Sequence, residues 1–356
     1  MLIDPQALCE TVRNAVQTQT ALRVRGEGSK DFYGQNLTGE LLDVSGYRGV
    51  VDFEPTELVI TARAGTPLSE IESVMAEAGQ MLAFEPPHFG ERGTLGGAIA
   101  AGLSGPRRPY AGAARDFMLG VRMIDGNGND LSFGGRVIKN VAGFDVSRFM
   151  AGAMGTLGVL LEASLKTLPR PLMESTLCFA MSDEKAIQTM NEWAGKPLPI
   201  SATCYEERIL TVRLSGGESA VRAAREKLGG DVVVEGDAFW KGVRDQTAPF
   251  FQNVKTLWRI SVPSTTTPLG LSPPQLIEWG GALRWIAGEV DAVGLRAKVA
   301  ALGGHATLFR AADKSLGVFH PLSPGIATLH GRLKQAMDPH GIFNPGRMYT
   351  YANESR

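Results

Sequence analysis

Apolar residues recur along this chain in short runs whose spacing changes from helical to strand-like and back. Leu8, Val12 and Val16 line one helical face, with Asp4 placed to cap and Pro5 in the first turn. ALRVRG (21–26) reads as a short buried strand halted at glycine. LLDVSG, GVVDFEP and ELVITARA over 41–64 read as further strands. A second helix is expected next. Thr66 is its cap, Pro67 opens it, and Leu68, Ile71, Val74, Met75 and Ala78 form its stripe before Gly79. Residues 1–80 therefore predict a small α+β unit.

Residues 81–170 predict a second one. GTLGGAIAAG (93–102) is a helix of very small side chains. FMLGVRMIDGNGNDLSF (117–133) is a hairpin turning at Asp125–Gly128. VSRFMAGAMG (146–155) reads as helix and VLLEASLKTL (159–168) as strand, and Pro169–Pro171 ends regular structure. From 172 onward the order is strand, helix, two strands, helix, strand, the ferredoxin-like order. Further strands follow in VKTLWRISVP, GALRWIAG and HATLFR, around a helical pattern in EVDAVGLRAKVAALGG and a proline-rich loop at 261–275. HGRLKQAMDPHGIFNPGRM (330–348) reads as a helix and a turn.

Composition sharpens this picture in one respect. Glycine accounts for 43 of 356 residues, about 12% against a usual 7%, and 16 of them fall within 86–158. Interleaved with apolar residues, they point to folded, exposed backbone. Thirty-six basic and 37 acidic residues provide no general field for nucleic acid. No long apolar run predicts a membrane span, and the N-terminus lacks the pattern of a signal peptide. Cys9, Cys178 and Cys204 have no metal spacing. The expectation is a cytoplasmic chain without a metal, reaching the inner membrane only through partners.

The candidate chemistry lies in three glycine stretches. In VRGEGSK (24–30), a strand runs into spaced glycines whose N–H groups can converge on an anion, with Ser29 and Lys30 adding a hydroxyl and a charge. An ordinary glycine turn is the alternative. In 85–116, Gly93, Thr94, Gly96 and Gly97 open a helix, and Gly102, Ser104 and Gly105 bring backbone near the same place. In 139–161, Gly155, Thr156 and Gly158 precede a strand, where tight packing is the competing explanation. The dinucleotide pattern G-x-G-x-x-G fails at Asp31, and no P-loop pattern occurs. Two loops from two units could hold a pyrophosphate between them.

Taken together, RGEGSK, GTLGGAIAAGLSG with its following Arg-Asp, KNVAGFD with GTLGVL, and DPHGIFNPGRM resemble the FAD-binding fold of the vanillyl-alcohol-oxidase, or PCMH-type, flavoproteins. The resemblance implies an α+β architecture: a two-lobed FAD-binding domain over 1–170 (lobes 1–80 and 81–170), a ferredoxin-like cap over 172–329, and a segment 330–356 returning to the first domain. It implies FAD contacts from Arg25, Gly26, Glu27, Gly28, Ser29 and Lys30, and from Pro87, Gly93, Thr94, Gly96, Gly97, Gly102, Ser104 and Gly105. Lys139, Gly155, Gly158 and Val159 are implied as well, with Asn344 approaching the ring from the tail. The first loop lacks the histidine that tethers flavin in some members, which predicts non-covalent FAD.

Within the family, the length and the wording KNVAGFDVSRFMAGAMGTLG are most similar to the smaller flavin subunits of bacterial glycolate oxidases. That implies oxidation of glycolate to glyoxylate beside a larger FAD-containing catalytic subunit and an iron–sulfur subunit. Relatives that oxidise 2-hydroxy acids carry a histidine-rich strand, whereas GGHATLFR offers only His305. The oxidation needs a base, a cation for the carboxylate and a hydride acceptor. His88 and His305 are the candidate bases, with Arg107, Arg108 and Arg115 as carboxylate cations or as solvated surface charges. Three readings follow: an electron-relay or assembly subunit, a free-standing glycolate or D-lactate dehydrogenase, and a flavin-free scaffold.

Overall fold

The computed structural model describes residues 3–135 and 146–350. Helix α1 (Pro5–Thr18) starts at Asp4, whose carboxylate accepts from the Gln6 N–H at 3.0 Å, and it buries Leu8, Cys9, Val12 and Ala15. Strand β1 (Leu22–Arg25) pairs in parallel with β2 (Glu40–Asp43). Strands β3 (Val50–Glu54) and β4 (Val59–Arg63) lead into α2 (Leu68–Glu77). Thr66 does not cap α2. Pro67 occupies that position, and the Thr66 hydroxyl bridges Gly49 instead, accepting from its N–H and donating to its carbonyl.

β5 (Gln80–Met81), α3 (Leu95–Ala101), α4 (Arg108–Ala111), β6 (Met118–Ile124) and β7 (Asp130–Gly134) follow. After them come α5 (Val146–Met150), β8 (Val159–Lys166) and β9 (Leu168–Pro169). The strands form a five-stranded antiparallel sheet in the order β3-β4-β8-β6-β7, with β5 and β9 as a small ladder beside it. One face of the sheet packs on α2 and α3 through Ile71, Met75, Leu95 and Ile99. Another core joins α1 to Val159, Leu161, Ile342 and Phe343. Helix α5 is one turn, shorter than its sequence predicts, because Gly152 and Gly155 both take positive φ.

Past Pro171 the chain builds a second sheet. β10 (Met173–Ala180), α6 (Asp183–Ala194), β11 (Ile200–Glu206), β12 (Ile209–Gly216), α7 (Glu218–Leu228) and β13 (Asp231–Val232) form the expected ferredoxin-like unit. Helix α8 (Gly236–Asp245) precedes β14 (Leu257–Ser261), β15 (Gln275–Glu278), β16 (Leu283–Ala287), α9 (Ala292–Ala301) and β17 (His305–Arg310). Pairing of Cys204 with Glu278 and of Tyr205 with Ile277 fuses both groups into one eight-stranded sheet, β13-β10-β12-β11-β15-β16-β14-β17. Helices α6, α7 and α9 cover one face. The other face, with Trp279, Trp285 and Phe309, packs onto Tyr33, Ala101, Leu103 and Met154 of the first unit. Trp240, Trp258, Trp279 and Trp285 are buried, and the half-buried Trp193 packs against the core under α6 and α7.

The tail returns through α10 (Pro324–Met337). Phe343 pairs with Leu22, whose N–H donates to the Ile342 carbonyl at 2.7 Å. The buried Lys334 ammonium donates to the carbonyls of Thr156 and Phe343 and to Asp338, fastening the tail to β1 and to the loop before β8. No described helix is long and apolar enough to cross a membrane.

Candidate functional site

Where β1 ends, the chain turns through Gly26–Lys30 and leaves the sheet. Gly28 sits at φ +77°, and a Cβ there would meet the Arg25 guanidinium at 2.1 Å. At Gly26 a Cβ would lie 2.8 Å from Thr94 Oγ1, so the loop and the start of α3 approach as only glycine permits. The main-chain N–H groups of Gly26 to Lys30 donate to no acceptor among the described residues. They border a cavity of about 290 Å³ lined by Arg25, Gly26, Glu27, Gly28, Ser29 and Lys30, by Thr94 and Gly97, and by Asn344 and Arg347. A slot of about 90 Å³ shares Gly26, Thr94 and Gly97 with it and runs inward past Val44, Ala64, Gly96, Gly155, Gly158 and Leu160.

The tail holds this loop from behind. Asn344 accepts from the Val24 N–H at 2.8 Å and donates to the Met154 carbonyl at 2.7 Å. Both ends of its amide are thus committed to backbone at the cavity wall. Arg347 donates to the carbonyls of Gln35, Lys30 and Asp31. Arg25 pairs with Asp31 at 2.7 Å. Among the described residues, Arg23 has a buried Nε without a partner, and the Lys30 ammonium has one hydrogen-bond partner, Ser29 Oγ at 3.3 Å. Burial lowers the Lys30 pKa to about 8. Free loop amides, these two cations and glycines that exclude side chains fit an anionic group seated in the cavity.

The second glycine stretch contributes differently from the first. The N–H groups of Leu95, Gly96 and Gly97 donate to Thr66 O, Ala64 O and Thr94 Oγ1. It therefore offers a close surface more than free donors. Gly93 packs under the His88 carbonyl, and Gly102 ends α3 against Gly152. Val159 is fully buried in β8 opposite Ile124 and lines neither space. Lys139 lies outside the described residues. Pro87, Ser104 and Gly105 border a separate void of about 20 Å³ facing Arg259, Glu278, Trp285 and Phe309 of the eight-stranded sheet.

That void holds little more than one water. Phe309 fills its neighbourhood, with Tyr33 and Trp285 each 4.9 Å away by ring centroid and Phe32 at 5.5 Å. Burial pushes Glu278 up to about 7 against the Trp285 indole hydrogen bond and the Arg259 charge. Neither candidate base reaches this region. His88 pairs with Glu72 at 3.0 Å, and His305 is exposed at the start of β17. His320 accepts from the Ala306 N–H, His330 packs on Tyr349, and His340 meets Asn127.

The sequence reading missed a buried ionic cluster between the units. Arg107, grouped by sequence with solvated surface arginines, is 8% exposed. It binds Glu85 at 3.3 Å and Glu174 at 2.6 Å, and Arg213 binds Glu85 at 2.8 Å. Arg108 stacks on Trp279 at 4.4 Å, while Arg115 stays exposed beside Asp116. No local pattern marks this cluster, because Glu85 and Arg107 meet Glu174 and Arg213 from strands of the other sheet.

Comparison with known proteins agrees with the geometry. A family model described as an FAD binding domain matches residues 3–134. The chain is 51% identical over 344 residues to the glycolate oxidase subunit GlcE of Escherichia coli (strain K12), covering 97% of each. The chain belongs to the GlcE family. Over 166 residues it is 28% identical to the glycolate oxidase subunit GlcD of Bacillus subtilis (strain 168), covering 46% of this chain and 35% of that one. A D-lactate dehydrogenase of Archaeoglobus fulgidus (strain ATCC 49558) is 30% identical over 151 residues, 42% of this chain and 33% of that one. Among solved structures, an alkyldihydroxyacetonephosphate synthase superposes with TM-score 0.66 at 13% identity, over 96% of this chain and 75% of that one, and so shares the fold. The cofactor of this fold is FAD.

Proposed function

We propose that this chain is the FAD-holding, non-autonomous subunit of a glycolate-oxidising complex. A larger GlcD-like flavin subunit removes hydride from the 2-hydroxy acid, and an iron–sulfur subunit takes the electrons onward. FAD supplies the capacity to accept two electrons and to release them singly. The loop amides of Gly26–Lys30 bind its diphosphate, with Thr94 and Gly97 on the facing side, and the slot lined by Val44, Gly96, Gly155 and Gly158 takes its adenine. The two-lobed region 1–170, closed by 330–356, serves as the cofactor domain, and 172–329 serves as its cap.

One observation carries this reading: a cavity of about 290 Å³ bordered by the free loop amides stands beside a void of only about 20 Å³ on the cap side. A 2-hydroxy acid does not fit there, and no histidine among the described residues faces it. The aromatic side chains there would keep substrate from a bound cofactor, which suits a relay and not a site of proton abstraction.

The test is purification of the full chain alone. The expected product is yellow, carries one FAD released by denaturation, and fails to reduce an acceptor dye with glycolate or D-lactate. Turnover by the isolated chain would sink the reading in favour of an autonomous dehydrogenase. A colourless protein that cannot be reconstituted with FAD would leave a scaffold.

A further inference from the structure

Within the glycine loop, Lys30 is the buried charge that the fold leaves without a carboxylate. Arg25 has Asp31, and Glu27 lies 4.0 Å from Arg92. Lys30 is buried, 8% exposed, and its ammonium stands 5.5 Å from the Phe89 ring centroid. Phe89 packs edge-on against Phe32 and approaches Phe309, which places this end of the cavity against the eight-stranded sheet. The nearest acidic influence from that side is Asp245, already engaged by Arg244 and by the His88 N–H. Among the described tail residues Arg347 approaches, and it touches the Lys30 carbonyl.

A dinucleotide held at its diphosphate extends in two directions. The inner slot is narrow, apolar and about 90 Å³. In the reading above it takes the adenine. The larger ring is therefore directed to the other end of the cavity, the one that Lys30 borders. We infer that Lys30 addresses the flavin ring and not the diphosphate, and that its charge sets how readily the ring accepts electrons. This rests on the FAD-holding reading above. A cation held near the ring in a dry site favours the negative charge that reduction adds, and so raises the potential.

The experiment uses the full chain loaded with FAD, as wild type, Lys30→Met and Lys30→Arg. Midpoint potentials come from reductive titration against reference dyes, and FAD and ADP affinities from fluorescence. For Lys30→Met, the ratio of reduced to oxidised flavin at a fixed poise is expected to drop at least tenfold, about 30 mV for a two-electron couple. Lys30→Arg should restore it to within threefold, while affinities for FAD and ADP change less than threefold. The cofactor-free Lys30→Met chain should melt higher than wild type, since it no longer buries an unpaired ammonium. An unchanged potential with FAD bound overturns the inference. A tenfold loss of both FAD and ADP affinity at unchanged potential also overturns it, by assigning Lys30 to the diphosphate. A lower melting temperature for the cofactor-free variant overturns it too, since the ammonium would then have a partner in the fold. Wild-type chain that binds no FAD would instead overturn the function proposed above.

Discussion

Gly28 shows what the cofactor loop asks of a single residue. Its φ of +77° is open to glycine and strained for others, by about 1–2 kcal/mol. Its missing Cβ also leaves room for Arg25. Gly28→Val is expected to lose bound FAD while the chain remains folded, read from the ratio of flavin to protein absorbance after gel filtration. Gly79→Val is the matched control. Gly79 also has positive φ, at +66°, but nothing lies within 4 Å of its absent Cβ, and it lines neither cavity nor slot. Strain alone would make both variants lose FAD equally. Only Gly28→Val should do so. The loop was legible in the sequence because spaced glycines after a strand are a local signal. Arg107 was not, because its partners Glu85 and Glu174 lie 22 and 67 residues away, and an arginine pair reads the same whether buried or solvated.

Among the elements, α10 shows how a buried charge fastens the tail. Its early turns are exposed, and its one fully buried residue is a lysine. Lys334 saturates two carbonyls and Asp338, while Asp338 accepts from the N–H groups of Ile342 and Phe343. Lys334→Met leaves a buried carboxylate without its cation, a loss of about 3–5 kcal/mol. The expected result is faster hydrogen exchange over 338–347 and a weaker hold on FAD, since Asn344 and Arg347 position the glycine loop. Unchanged exchange in that segment would show that the tail is held by its apolar residues instead. The helix and turn were readable from HGRLKQAMDPHGIFNPGRM, but the burial of Lys334 was not. Helix α8 escaped detection altogether. Gly236 and Gly242 interrupt its pattern, and Gly236 is needed because a Cβ would meet Thr176 Oγ1 at 2.4 Å. Trp240 then donates to that same hydroxyl.

At the scale of the molecule, the decisive feature is the seam between the sheets. Periodicity identified two groups of strands after residue 172 but gave no sign that β11 and β15 join them, since the pairing of Cys204 with Glu278 and of Tyr205 with Ile277 leaves no local trace. Along this seam the charges change character. Glu174 is pushed up by burial, but Arg213, the Ser215 hydroxyl and Arg107 outweigh that, and its pKa ends below the ordinary value. Its contribution is therefore present above the usual carboxylate range and lost as pH falls through its lowered pKa. Glu278 is the opposite case. Burial raises it to about 7, so between roughly 4.5 and 7 the folded chain holds a proton that the unfolded chain has released. Stability from this group is full below the lower limit and declines as pH rises to the upper one, by up to about 3 kcal/mol. Glu278→Gln keeps an acceptor for the Trp285 indole and removes the titration. The variant should match wild type at pH 5 and melt higher at pH 8, a difference followed by tryptophan fluorescence. An equal gain at both pH values would mean that packing, not charge, is at issue. A loss at pH 8 would mean that the Arg259 charge needs the carboxylate beside it.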